Sequence, residues 1–314
     1  MKFNSAAVRV SCGLLAGMLV PGIVHACACG CGVFDVGTSS MLPIGEGAMT
    51  FFQYDYQDQD RNWKGTSPAP SANNDDKEIS TDFFTAGFQY MFNRKWGVQA
   101  EIPFDYRTFK GLNDDTGKTG KASWMSLGDV RIEGIYTGFM ADQSAGVTLG
   151  VKLPTGNFRQ TSPALDIDRD TQIGTGSTDL LLGGFYRDNL DRNQQWDWFA
   201  QVQLDLPVLI QDHYRPGVEL DAAAGIDYKG LSIGRAKISP LAQIIFSERT
   251  SDSGANAAHP VASGYQRIML SPGIEVHIHP VKIYADVELP VFQNFTGNQV
   301  AASVLFKFSV SYMF

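Results

Sequence analysis

From Phe52 onward the chain resolves into segments in which apolar residues occupy every second position, the period of a β-strand and not of a helix. Trp96, Val98, Ala100, Ile102, Phe104 and Tyr106 share one face, with Gln99, Glu101, Asp105 and Arg107 on the other. The same split runs through 84–92, 130–136, 145–153, 180–186, 196–206, 218–228, 268–276, 283–289 and 304–314. Two segments carry it less strongly: Phe52, Tyr54, Tyr56 is short, and the stretch 238–246 contains Pro240. No apolar face holds a charged residue, although charges are frequent on the opposite faces.

Alternation alone also fits a water-soluble sandwich, and three further features point to a transmembrane barrel. Connections alternate in length. The stretches 58–78, 109–125, 154–176, 207–217, 249–263 and 290–299 are long and polar, while 93–95, 139–143, 229–230 and 278–281 are short, as in outer-membrane barrels with periplasmic turns and external loops. Aromatic residues crowd the short-turn ends, among them Tyr90, Phe92, Trp96, Tyr136, Tyr186, Trp196, Trp198, Tyr228 and Tyr312, which reads as an interfacial girdle. The last strand ends on Phe314, so it must pair with the first, and a terminal aromatic there resembles the signal by which the barrel-assembly machinery reads such chains. The expected fold is all-β: an antiparallel transmembrane β-barrel over 46–314, with about a dozen strands and both ends periplasmic.

Lys2 and Arg9 precede an apolar run, 10–24, broken by Gly13, Gly17, Pro21 and Gly22 and closing on Val24-His25-Ala26. This reads as a signal peptide over 1–26, cleaved after Ala26; the breaks argue against an uncleaved anchor. Losing Lys2 and Arg9 from the 25 basic residues leaves 23 against 33 acidic ones, a charge of −10. So acidic a surface is a poor partner for nucleic acid.

The segment 27–45 then begins Cys27-Ala28-Cys29-Gly30-Cys31-Gly32. Three thiols at spacing two could wrap a soft ion such as Cu(I). An oxidising periplasm equally allows a Cys27–Cys31 disulfide, and acylation of Cys27 or a mixed disulfide are further readings, although His25 suits a lipoprotein signal poorly. The apolar Val33, Phe34, Val36, Met41, Leu42 and Ile44 would be exposed in the periplasm, so the segment is expected to fold into the barrel mouth as a plug, the other reading being a loose tether.

An enzyme is disfavoured. No His lies one strand-step from a Ser at mid-membrane on an outward face, no Cys-x-x-Cys-His occurs for covalent haem, and Gly174-Thr175-Gly176-Ser177 lacks phosphate-loop spacing. His277 and His279 flank a short turn and read better as solvated than as ligands. Ile102-Pro103, Leu153-Pro154, Leu206-Pro207 and Leu289-Pro290 each fall late in an outward-running strand, where Pro marks a bulge, a bend or an end. The expected lumen lining is Glu101, Asp105, Arg107, Asp129, Arg131, Glu133, Lys152, Asp205, Glu219, Asp221, Asp227, Glu275, Asp286 and Glu288.

The motifs Leu127-Gly128-Asp129, Gly150-Val151-Lys152-Leu153-Pro154-Thr155-Gly156 and Gly174-Thr175-Gly176-Ser177-Thr178-Asp179-Leu180, with the C-terminal strand, resemble the outer-membrane transporter family named for the meta-cleavage pathway of phenol degradation. The resemblance implies a barrel assisting uptake of small, often aromatic molecules. The expectation is therefore an outer-membrane channel for a small solute, surrounded by outer-membrane lipid, with no cofactor unless a soft metal binds Cys27, Cys29 and Cys31. The alternatives are a metal-capturing barrel using those thiols and a passive structural barrel.

Overall fold

The computed structural model describes residues 42–43, 45–113 and 116–314. Its strands, in chain order, are β1 (Gly47–Gly65), β2 (Ser67–Pro68), β3 (Asp76–Met91), β4 (Trp96–Leu112), β5 (Thr119–Leu127), β6 (Arg131–Tyr136), β7 (Ala145–Lys152), β8 (Ser177–Asn189), β9 (Trp196–Ile210), β10 (Glu219–Tyr228), β11 (Leu231–Ile233), β12 (Ala236–Arg249), β13 (Tyr265–Ile278) and β14 (Val281–Met313). All pairings are antiparallel, and the ring runs β10-β9-β8-β7-β6-β4-β3-β1-β14-β13-β12 and back to β10. β2, β5 and β11 are short additions to β1, β4 and β12.

Counted as membrane crossings, the ring has twelve. β14 is one unbroken run of strand, yet its first half pairs with β13 and its second half, 295–313, pairs with β1. It reverses at Gly297, whose φ of 73° is left-handed, and its ends meet where the Met313 N–H donates to the Pro280 carbonyl. β5 and β6 are one crossing interrupted at 128–130, pairing with the upper and lower halves of β4. The barrel closes through reciprocal Ala48 and Phe314 backbone bonds of 2.9 Å, so no edge is left open.

The outer wall is the apolar face foreseen from the period. Leu149 is 59 % exposed, Ile244 57 % and Ile102 50 %, while the charged Arg107 inside is 1 % exposed. A soluble protein does not present so broad an apolar band to water; the wall fits bilayer hydrocarbon, and the molecule is an outer-membrane barrel. On the short-turn side Trp96 packs against Tyr136, Trp196 against Tyr228 and Tyr186 against Trp198, the rings tilted to one another at centroid distances of 4.5, 4.9 and 5.1 Å. Rings amphipathic enough for the headgroup layer thus form the girdle.

Several sequence expectations are corrected. β1, β3 and β4 hold 19, 16 and 17 residues, more than the roughly 9–11 that cross a membrane at barrel tilt. Much of 58–78, 109–125 and 290–299, expected as loop, is therefore ladder standing above the outer leaflet. The stretch around Pro240 is a full strand, β12, because its neighbours Ser239 and Leu241 keep the register with β13. The four prolines divide by role: Pro154 follows the end of β7, Pro207 and Pro290 sit at register shifts, and Pro103 lies where β4 changes partner from β6 to β5.

Candidate functional site: the lumen and its lid

The strands' inward residues enclose a cavity of about 270 Å³. Its ceiling is the loop 154–176, which folds into the long-loop mouth and does not extend away from it. Leu165 and Ile173 of the loop pack with Ile79, Phe109, Trp124 and Val300 of the wall, and Ile167 lies against the same cluster. Leu165 is wholly buried, and burying such a side chain stabilises by about 1.5–3 kcal/mol. Arg107 reaches up from β4, donating to the Thr171 and Gln172 carbonyls at 2.8 and 2.9 Å and to Thr81 Oγ1 at 3.0 Å. A buried guanidinium satisfied by loop carbonyls holds the loop's backbone in place.

Both ends of this lid are pinned on one carboxylate, Asp129, in the gap between β5 and β6. Its Oδ1 accepts from the Gly156 N–H at 2.9 Å; its Oδ2 accepts from the Thr175 N–H at 2.8 Å and the Thr175 hydroxyl at 2.6 Å. The Thr155 hydroxyl donates to the Gly128 carbonyl at 2.8 Å and accepts from the Val130 N–H at 2.9 Å. Gly156 and Gly174 approach so closely that a Cβ on Gly174 would lie 2.3 Å from the Gly156 carbonyl carbon. The three motifs that are far apart in sequence thus meet at one point, where charge-assisted bonds to backbone N–H groups clamp the lid to the wall.

Below the clamp lies an ion cluster. Lys152 of β7 pairs with Asp179 of β8 and, at 3.0 Å, with Asp205 of β9, which Arg131 of β6 approaches at 3.5 Å. Charges so buried persist only when paired. Lower still, Gln203 donates to Glu133 at 2.7 Å and Gln99 to Glu101 at 2.8 Å. Across the cavity the Tyr265 hydroxyl donates to Glu219 at 2.7 Å.

Of the residues expected to line the lumen, Glu101, Asp105, Arg107, Asp129, Arg131, Glu133, Lys152, Asp205, Glu219 and Asp221 face this cavity. Asp227 and Glu275 lie lower, toward the short-turn rim, with Lys282 3.9 Å from Glu275. Asp286 and Glu288 belong to a packed polar network. Asp286 accepts from the Tyr284 and Ser271 hydroxyls at 2.7 Å and from Gln243 at 3.0 Å, and Glu288 is 3.7 Å from Lys307.

Sequence reasoning missed the apolar part of the inner wall. Phe51, Phe83, Ile135, Phe185 and Tyr214 also line the cavity. Two of these rings lie over glycines on the next strand: a Cβ on Gly87 would fall 1.9 Å from Phe51, and one on Gly146 2.4 Å from Phe185. A large residue registered opposite a glycine on an otherwise polar face was the available signal.

At the short-turn end Leu42 packs on Met91, Ile135 and Phe185, and Arg187 donates to the carbonyl of buried Pro43 at 2.7 Å. Cys27, Cys29 and Cys31 lie outside the described residues, as does the expected signal peptide. Among the described residues no group of three or more His, Cys, Asp or Glu is placed to hold a metal ion. The pentad Gly230-Leu231-Ser232-Ile233-Gly234 has nucleophile-elbow spacing, but its three central residues, which form β11, are exposed in a periplasmic hairpin and not on a strand-to-helix turn. At the opposite rim His259 Nε2 lies 3.0 Å from Asp168 Oδ2, tying the lid to the loop after β12. Burial opposes the imidazolium, but the Asp168 bond and the charges of Asp168, Asp170 and Asp75 outweigh it and raise its pKa above 6.5.

No protein-family model matches the chain, and no curated protein matches it. Solved structures do. The COG4313 outer membrane channel from Pseudomonas putida F1 is 11 % identical, with 90 % of this chain and 100 % of that one covered at a TM-score of 0.63. The beta domain of the Bordetella autotransporter BrkA is 13 % identical, with 86 % and 100 % covered at 0.52. At these identities the likeness is one of fold: a closed antiparallel barrel of the outer-membrane kind.

Proposed function

We propose that the barrel is an outer-membrane channel passing a small solute through a narrow, lidded lumen. The observation that carries this reading is the lid. A passive structural barrel has no need of a loop folded inward and clamped by a dedicated carboxylate over an internal cavity, whereas a selective channel does. A cavity of about 270 Å³, near the lower end of the roughly 300–1,000 Å³ of ligand pockets, suits a small molecule. Its mixture of aromatic rings and charges suits one with an apolar body and a polar group. The resemblance to the phenol meta-pathway transporters and the fold likeness to an outer membrane channel support the same reading. In it the segment before β1 stops the periplasmic mouth, a role supported by Leu42 and Pro43 inside the barrel.

Liposome swelling tests it. Liposomes carrying the full chain are expected to swell faster than protein-free ones in a small sugar such as arabinose, and faster again with a chain beginning at Gly45. Rates equal to protein-free liposomes for both chains would favour the passive barrel.

A further inference from the structure

At one level of the lumen three inward residues stand side by side on adjacent strands. Asp55 of β1 is registered with Phe83 of β3, and Phe83 with Asp105 of β4. Directly opposed residues on one face place their Cβ atoms about 4.5–5.5 Å apart, so the ring lies between two carboxylates. All three border the cavity.

The two acids differ in their neighbours. Asp55 accepts from the Gln53 amide at 2.7 Å and is registered with Lys307 on its other side. Asp105 is 5 % exposed, its Oδ1 is buried without a hydrogen-bond partner, and no hydrogen bond or ion pair reaches it from the described residues. The charge of nearby Arg107 acts on Asp105, but its N–H groups donate to Thr81 and to the lid carbonyls and not to this carboxylate. Leaving a carboxylate oxygen buried without a hydrogen-bond donor is costly, and here it faces a cavity whose wall carries nine carboxylates, Asp105 included, against five basic side chains.

We propose that Asp105, Phe83 and Asp55 form a binding subsite for a small organic ammonium ion, the charged nitrogen taken by Asp105 and the ring face of Phe83 and the apolar body lying in the cavity. The chemistry is that of cation–π recognition next to an anion. An ammonium supplies the N–H donors that Asp105 lacks, and the cavity's carboxylates raise the local concentration of cations. A neutral alcohol supplies a donor but no charge, and a carboxylate is repelled. This deepens the channel reading by naming a solute class, yet the subsite is testable without transport.

The experiment is calorimetric titration of the detergent-solubilised full chain with phenethylammonium chloride, 2-phenylethanol and sodium phenylacetate in matched salt, beside single-channel recording in potassium chloride. Phenethylammonium is expected to bind more tightly than the other two and to reduce the potassium current at the same concentrations. Asp105→Asn, which keeps the shape, is expected to weaken binding about tenfold, and Phe83→Leu about threefold. Equal binding of ammonium and alcohol, or an unchanged titration in an Asp105→Asn barrel of unaltered circular dichroism, would overturn the subsite. If potassium current is seen but the ammonium neither binds nor blocks, the subsite is wrong and the channel stands. If the ammonium binds but no current or swelling is seen, the subsite stands and the channel reading fails.

Discussion

Leu149 on the outer wall and Thr85 on the inner wall are both strand residues with simple side chains, yet they answer to different rules. Leu149 is 59 % exposed, so its side chain chiefly meets the medium around the barrel. Thr85 stands between Gln53 and Pro103 in register and borders a cavity walled by charges, amides and rings. The outer wall asks only that a side chain be apolar. The inner wall is specific residue by residue, because its polar groups must find partners within a confined space. A barrel can therefore vary its outside widely while its inside holds the selectivity.

The sharpest way to break this comparison is to put the same charge on both walls. Leu149→Arg is expected to cost roughly 2–4 kcal/mol of barrel stability, and Thr85→Arg less than about 1 kcal/mol, since it points into an acidic, hydrated lumen. Urea unfolding in lipid vesicles measures both, and equal costs would contradict the assignment of the two faces.

Added bulk should have the opposite asymmetry. Gly87→Val collides with the Phe51 ring and is expected to cost about 1–3 kcal/mol through overpacking. On the outer wall a Cβ at Gly134 would find its nearest neighbour, the Leu149 carbonyl, 3.7 Å away, so Gly134→Val should be close to neutral. The same unfolding assay compares them.

The smallest effect concerns the lid's outer latch. Because the His259 pKa is raised in the folded protein, the latch contributes fully below pH 6.5 and is lost as the pH rises through the raised value. For a partly exposed pair the contribution is about 1 kcal/mol or less. Proteolytic nicking within 154–176 should quicken on raising the pH from 6 to 9, and His259→Gln should abolish that dependence. A pH-independent nicking rate in the native chain would remove the latch from the account.

The outer wall was legible in the sequence because lipid imposes a single requirement at period two, and one charge among Phe84, Ala86, Phe88, Tyr90 and Phe92 would have spoiled it. The crossings were legible for the same reason, with long and short connections giving the sidedness. The inner wall was legible only as a set of charges. Asp129 could be placed in the lumen from its place in the alternation, but it lies in the break between β5 and β6 and its work is to hold Gly156 and Thr175 backbone groups, which are 27 and 46 residues away. No local pattern encodes that pairing. The inward course of 154–176 left a faint mark, Leu165, Ile167 and Ile173 within a polar loop, whose meaning depends on the apolar cavity wall they meet.

The central claim is that a clamped lid controls passage through this lumen, and the most direct test is single-channel conductance of the full chain beside Asp129→Ala. Removing this carboxylate frees the N–H groups of Gly156 and Thr175 and the Thr175 hydroxyl without touching the outer wall. The account predicts a small, steady conductance in the native chain and a several-fold larger, fluctuating one in the variant, with the barrel still folded by circular dichroism. Identical conductance in two folded barrels would contradict it.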